Sequence, residues 1–132
     1  MQEKAFFKAV KDGDLILVEQ RLAEDPNLVH ARDQDMSTPL HWAAWKGHPT
    51  IIHTLIDSGA DIHAHNENSH WGTTPLHAAA HGNRKDAAVA LLRRGADPNI
   101  LKSNGTGTPL QETAVHNANA VAKILRSAGA TG

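Results

Sequence analysis

The stretch Thr38-Pro39-Leu40-His41-Trp42-Ala43-Ala44-Trp45-Lys46-Gly47-His48 decides the fold, because its opening tetrapeptide returns. Thr74-Pro75-Leu76-His77 follows 36 positions later, and Thr108-Pro109-Leu110-Gln111 stands 34 positions beyond that. Each threonine is followed 21 positions on by Gly-Ala, at Gly59-Ala60, Gly95-Ala96 and Gly129-Ala130. A constant interval inside the unit with variable spacers between units describes a repeat array rather than one continuous core.

The chemistry of the unit reads as a helical hairpin. Threonine offers its hydroxyl to the orphaned amides of a first helical turn, and proline at the next position lacks a donor that would be orphaned anyway. A helix is therefore predicted at each Thr-Pro-Leu. The alanines Ala43, Ala44, Ala79 and Ala80 allow a neighbouring helix to approach closely. Gly47, Asn83 and Asn117 fall nine residues after the threonines and suit a left-handed helix terminus. A second helix is predicted from Ile51, Ile52, Leu55 and Ile56, and from Ala87, Ala88, Leu91 and Leu92, until Gly59 or Gly95 stops it.

These residues resemble the ankyrin repeat: TPLH, small residues, a glycine turn, an amphipathic second helix, then Gly-Ala-Asp and an extended loop. The pieces TPLHWAAWKGH, LIDSGADIH, TPLHAAAHGN and LLRRGADPN carry the likeness, which covers nearly the whole chain. It implies an all-α ankyrin repeat solenoid of four helix-turn-helix units with connecting β-hairpin loops. The single domain 1–132 would divide into units of about 1–32, 33–65, 66–101 and 102–132. The first unit is the weakest match, with Lys4-Ala5-Phe6-Phe7 where TPLH would stand. Arg21 and Arg126 replace apolar positions of the middle units, as expected of polar outer faces on the end units of a finished array. Gln111 in place of histidine, and Glu112-Thr113-Ala114 in place of the usual small apolar run, predict looser packing of the last unit. The connection 66–73 is three residues longer than a period of about 33 would give.

Composition narrows the function. The 132 residues are 40% hydrophobic and 20% charged, enough to bury a core. Thirteen Lys+Arg against 14 Asp+Glu give a net charge of -1, too balanced for a nucleic-acid or anionic-membrane binder. No apolar run exceeds about six residues, the opening residues show no long apolar region or small-residue cleavage site, and a cytoplasmic location without a standard secretion signal is expected. With no cysteine, thiolate nucleophiles and Cys-ligated zinc are excluded.

Ten histidines require a metal or acid-base reading to be weighed. His77 and His81 are four apart on a predicted helix, but Ala78 stands where the glutamate of a zinc-protease motif would be. His63, His65 and His70 form the alternative site, a metal- or small-ligand-binding loop, if an extended segment points His63 and His65 to one side. Gly105-Thr106-Gly107 is a turn rather than a phosphate loop, and no serine lies in a G-x-S-x-G elbow. No enzymatic activity and no cofactor are expected. In the resembled family the motif histidines, here His41 and His77, hydrogen-bond inside the array.

The aromatic residues point to an interaction surface. There is no tyrosine, and the three tryptophans Trp42, Trp45 and Trp71 fall in one predicted helix and the loop after it. Trp42 and Trp45 are three apart and share a helix face, and tryptophan is the residue most enriched at binding hot spots. The family resemblance places these positions on the concave side. The function expected is a non-enzymatic, monomeric module that binds an unidentified protein. Its surface would comprise Arg32, Gln34, Asp35 and Ser37 from the first connection, Trp42, Trp45 and Lys46 from the following helix, and Trp71, Thr73 and His81 beyond.

Overall fold

A computed structural model describes residues 2–67, 72–115 and 117–131. Among the described residues the elements are α1 (Gln2–Asp12), α2 (Leu15–Glu24), a 3-10 turn (Pro26–His30), α3 (Pro39–Lys46), α4 (Pro49–Asp57), α5 (Pro75–His81), α6 (Lys85–Arg93), α7 (Pro109–Val115) and α8 (Asn119–Ser127). They form four antiparallel helical pairs. The first helices α1, α3, α5 and α7 pack side by side in one layer, and the second helices α2, α4, α6 and α8 pack in another.

Local chemistry sets the helix ends. The Thr38 and Thr74 hydroxyls accept from the backbone N–H of His41 and His77, at 3.3 and 3.4 Å. The first helices stop where Gly47, Asn83 and Asn117 take positive φ of 77°, 52° and 56°. α1 starts further upstream relative to its unit than α3 does, because no proline confines its first turn.

Burial follows the repeat. Leu40 and Leu76 are fully buried between first helices, and Phe6 takes the corresponding place in the first pair. Ala43, Ala44, Ala79 and Ala80 have no exposed surface, so α3 and α5 approach closely. Ile52, Leu55, Leu91, Val121 and Leu125 seal the second layer. Leu110, with no first helix beyond it among the described residues, is 8% exposed.

The connections fold back as hairpin turns, closed by Asp33 N–H to Ser37 O at 3.0 Å, Asn66 N–H to Thr73 O at 3.0 Å and Lys102 N–H to Thr106 O at 2.9 Å. Neighbouring tips are joined by Glu67 N–H to Asp35 O at 2.7 Å and Ser103 N–H to Gly72 O at 3.0 Å. These isolated bonds make no strand ladder among the described residues. Residues 61–64 form a turn instead of the extended segment expected there: the Asp61 side chain accepts from His63 N–H at 3.0 Å, and Ala64 N–H reaches Asp61 O at 3.2 Å. No helix among the described residues is long and apolar enough to cross a membrane.

Candidate functional site

The two motif histidines are structural joints. The His41 ring accepts from Thr38 N–H through Nδ1 at 3.1 Å, so the proton sits on Nε2, which donates to Thr73 O of the next connection at 2.8 Å. His77 repeats this with Thr74 N–H at 3.2 Å and Gly107 O at 2.8 Å. Each ring therefore caps its own helix and ties down the following hairpin. Burial is the main cause that lowers both pKa values to about 4, outweighing the carbonyl bond that favours the charged ring. Both remain neutral near pH 7.

In front of these rings the first helices and the connection tips enclose a groove of about 260 Å³. Trp42, Trp45, Ala78, His81 and Glu112 line it from α3, α5 and α7, with Asp35, Ser37, Asn66 and Thr73 from the tips. Trp42 is half-buried. Its indole N–H donates to an Asp33 carboxylate oxygen at 2.7 Å, and the Lys11 ammonium lies 4.1 Å from the ring centroid. Trp45 is also half-buried and meets the His81 ring at 4.6 Å between centroids, tilted by 49°. Further along, the buried Glu112 carboxylate pairs with Lys102 Nζ at 2.9 Å and lies 3.6 Å from His81 Nδ1. The Trp45–His81–Glu112 series thus crosses three successive helical pairs.

The residues expected at the surface divide into three groups. Asp35, Ser37, Trp42, Trp45, Thr73 and His81 all line the groove. Ser37 and Thr73 are buried in its floor, where Ser37 Oγ accepts from Asn66 Nδ2 at 3.0 Å and Thr73 Oγ1 donates to Asn66 Oδ1 at 3.2 Å. Arg32, Gln34 and Lys46 are exposed outside the groove. Arg32 braces two tips by donating to Met36 O and His65 O, each at 2.8 Å. Trp71 lies outside the described residues.

Sequence reasoning missed Asp33, Ala78 and Glu112. Asp33 is an Asx-turn residue whose Oδ1 accepts from Asp35 N–H and Ser37 N–H, at 2.9 and 3.0 Å, while its other oxygen holds Trp42. Its turn role was legible from type, but its hold on the indole was not. Ala78 and Glu112 occupy the repeat position of Trp42, a register that would have placed them beside the tryptophans.

The histidine loop is engaged differently from a metal site. His63 Nε2 accepts from Asp97 N–H at 3.0 Å, and His65 Nε2 donates to Leu101 O at 2.9 Å. Both rings thus serve the next connection. His70 lies outside the described residues, and no group of three or more His, Cys, Asp or Glu that could hold a metal occurs among those described.

Comparison with known proteins agrees with this architecture. Residues 40–92 match the family model described as ankyrin repeats (many copies). The chain is 44% identical over 81 residues to the serine/threonine-protein kinase VIK of Arabidopsis thaliana, covering 61% of this chain and 18% of that protein. It is 36% identical over 99 residues to the ankyrin repeat and SAM domain-containing protein 6 of Mus musculus, covering 75% and 11%. It is 45% identical over 56 residues to the human ankyrin repeat domain-containing protein 49, covering 42% and 23%. The chain spans less than a quarter of the length of these relatives. Three TPL-started helical hairpins, a weaker fourth and the sequence matches give one conclusion: the chain belongs to the ankyrin-repeat family, whose repeats serve protein-protein interaction.

Proposed function

We propose that this chain is a non-enzymatic module that captures a protein partner in the groove between its first helices and connection tips. The single observation that carries the reading is the pair of half-buried indoles, Trp42 and Trp45, on one wall of that groove. Partly exposed apolar surface gathered in a concavity gains free energy when a partner covers it, and tryptophan contributes more than most side chains. Asp35 and His81 border the same groove, Ser37 and Thr73 supply its floor, and Gln34 and Lys46 extend the contact beyond it. Arg32 contributes by holding the tips in place. Trp71, outside the described residues, is included in the proposed surface on its place in the sequence alone. The same reading includes a monomeric, cytoplasmic protein.

The test is affinity capture of a partner with the wild type, followed by measurement of its Kd for wild type and Trp45→Ala. Trp45→Ala is expected to keep the circular dichroism spectrum and lose about thirtyfold in affinity, the factor that 2 kcal/mol implies. Equal affinity of the two proteins for the captured partner would overturn the groove as the binding surface.

A further inference from the structure

The groove has a gap whose walls differ in chemistry. Trp42, Ala78 and Glu112 hold the same repeat position on α3, α5 and α7. A small methyl therefore sits between an indole and a carboxylate, and the space that a larger residue would fill at position 78 is left open as a notch.

The size of the groove limits what enters it. A groove of about 260 Å³ is smaller than the roughly 300 to 1,000 Å³ typical of small-molecule and cofactor sites. It suits one or two side chains delivered on an extended segment.

Charge decides which side chain. The described lining residues include two carboxylates, Asp35 and Glu112, and no lysine or arginine. Glu112 is already paired with Lys102 at 2.9 Å, so the unmatched charge at the rim belongs chiefly to the exposed Asp35. Two of the lining residues are indoles, whose faces attract cations. One of them already does so: the Lys11 ammonium sits 4.1 Å from the Trp42 centroid. An aliphatic stem would lie along Trp42, Trp45 and Ala78 while its cationic head stays near Asp35.

We propose that the notch at Ala78 receives a basic side chain, lysine or arginine, from an extended segment of the partner. This rests on the groove being the partner-binding surface. An acidic side chain at the same place would face the Asp35 carboxylate, and a neutral one would forgo the attraction that Asp35 and the indole faces hold for a cation.

The probes are the blocked tripeptides Ac-Ala-Arg-Ala-NH2, Ac-Ala-Lys-Ala-NH2, Ac-Ala-citrulline-Ala-NH2 and Ac-Ala-Leu-Ala-NH2. They are titrated into the full chain while the Ala78 methyl and Trp45 indole signals are followed by NMR. Either basic peptide is expected to shift both signals and to bind about fivefold more tightly than the citrulline and leucine peptides. Asp35→Asn is expected to erase that preference without disturbing the fold, because the backbone oxygen at position 35, which accepts from Glu67 N–H at 2.7 Å, is retained. Equal binding of the neutral peptides would overturn the inference while leaving the groove as a binding surface. An unchanged preference in Asp35→Asn, or basic peptides that leave the Ala78 signal unmoved, would also overturn it. Failure of the broader reading shows separately, as an unchanged Kd of Trp45→Ala for the captured partner.

Discussion

The middle pairs α3/α4 and α5/α6 and the last pair α7/α8 begin with nearly the same tetrapeptide but are joined to their surroundings differently. At His41 and His77 one ring nitrogen caps the helix and the other donates to a carbonyl of the next connection. At Gln111 the side-chain oxygen accepts from Thr108 N–H at 2.9 Å, and Gln111 N–H donates to Thr108 Oγ1 at 3.2 Å. The cap is rebuilt in full, and no outward bond of Gln111 is present among the described residues. Capping thus asks for an acceptor at the third helical position, whereas joining two units asks for a rigid ring with a donor on its far side.

The largest effect that tests this contrast is the response to acid. His41 and His77 are held at about 4 in the folded protein against 6.5 when exposed. Below pH 6.5 the unfolded chain therefore binds more protons than the folded one. Their contribution is fully present above 6.5, is lost as pH falls from there towards 4, and adds no further slope below. The loss amounts to roughly 3 kcal/mol for each ring, and urea denaturation at several pH values measures it. The double variant His41→Gln/His77→Gln should be less stable at pH 7 and nearly flat across that window. A wild-type stability that does not fall between pH 6.5 and 4 would break the account of both rings.

Core truncation gives an effect of intermediate size. Leu76 is 1% exposed between two first helices, whereas Leu110 is 8% exposed at the edge. Leu76→Ala should cost about 3 kcal/mol and Leu110→Ala clearly less, because the edge site relaxes more readily around the lost volume. Equal costs in chemical denaturation would show the last pair to be as tightly packed as the middle ones.

The smallest effects come from exchanging the capping residues. His77→Gln should keep the helix start but leave Gly107 O without its donor, at about 1 to 3 kcal/mol. Gln111→His should change stability by less than about 0.5 kcal/mol, since the ring would replace one exposed cap by another. A stabilisation of several kcal/mol by Gln111→His would mean that the last pair does engage a further carbonyl.

Much of the fold was legible because its determinants are local. Thr-Pro marks a helix start by hydrogen-bond supply, and glycine or asparagine marks a stop by tolerance of positive φ. The candidate site was legible only in part. Trp42 and Trp45 could be placed on one face from their spacing, but nothing in the sequence tied Asp33 to the Trp42 indole, since their side chains meet only when the hairpin turns back on α3. His63 and His65 read as potential ligands because histidine chemistry is the same in both settings. Their hydrogen bonds reach residues 34 and 36 positions away, and only stacking of the units brings those partners near.

The sequence by itself determined the number and order of the helical hairpins visible as repeats, the threonines that open their first helices and the apolar faces that must meet. Each of these depends on neighbours within a few positions or on a period that can be counted. Only the tertiary structure decided that Trp45, His81 and Glu112 form one series across three helical pairs, and that Ser37 and Thr73 are floor rather than rim. Those properties belong to side chains about a repeat apart in sequence, and their distances exist only once the hairpins have stacked in register.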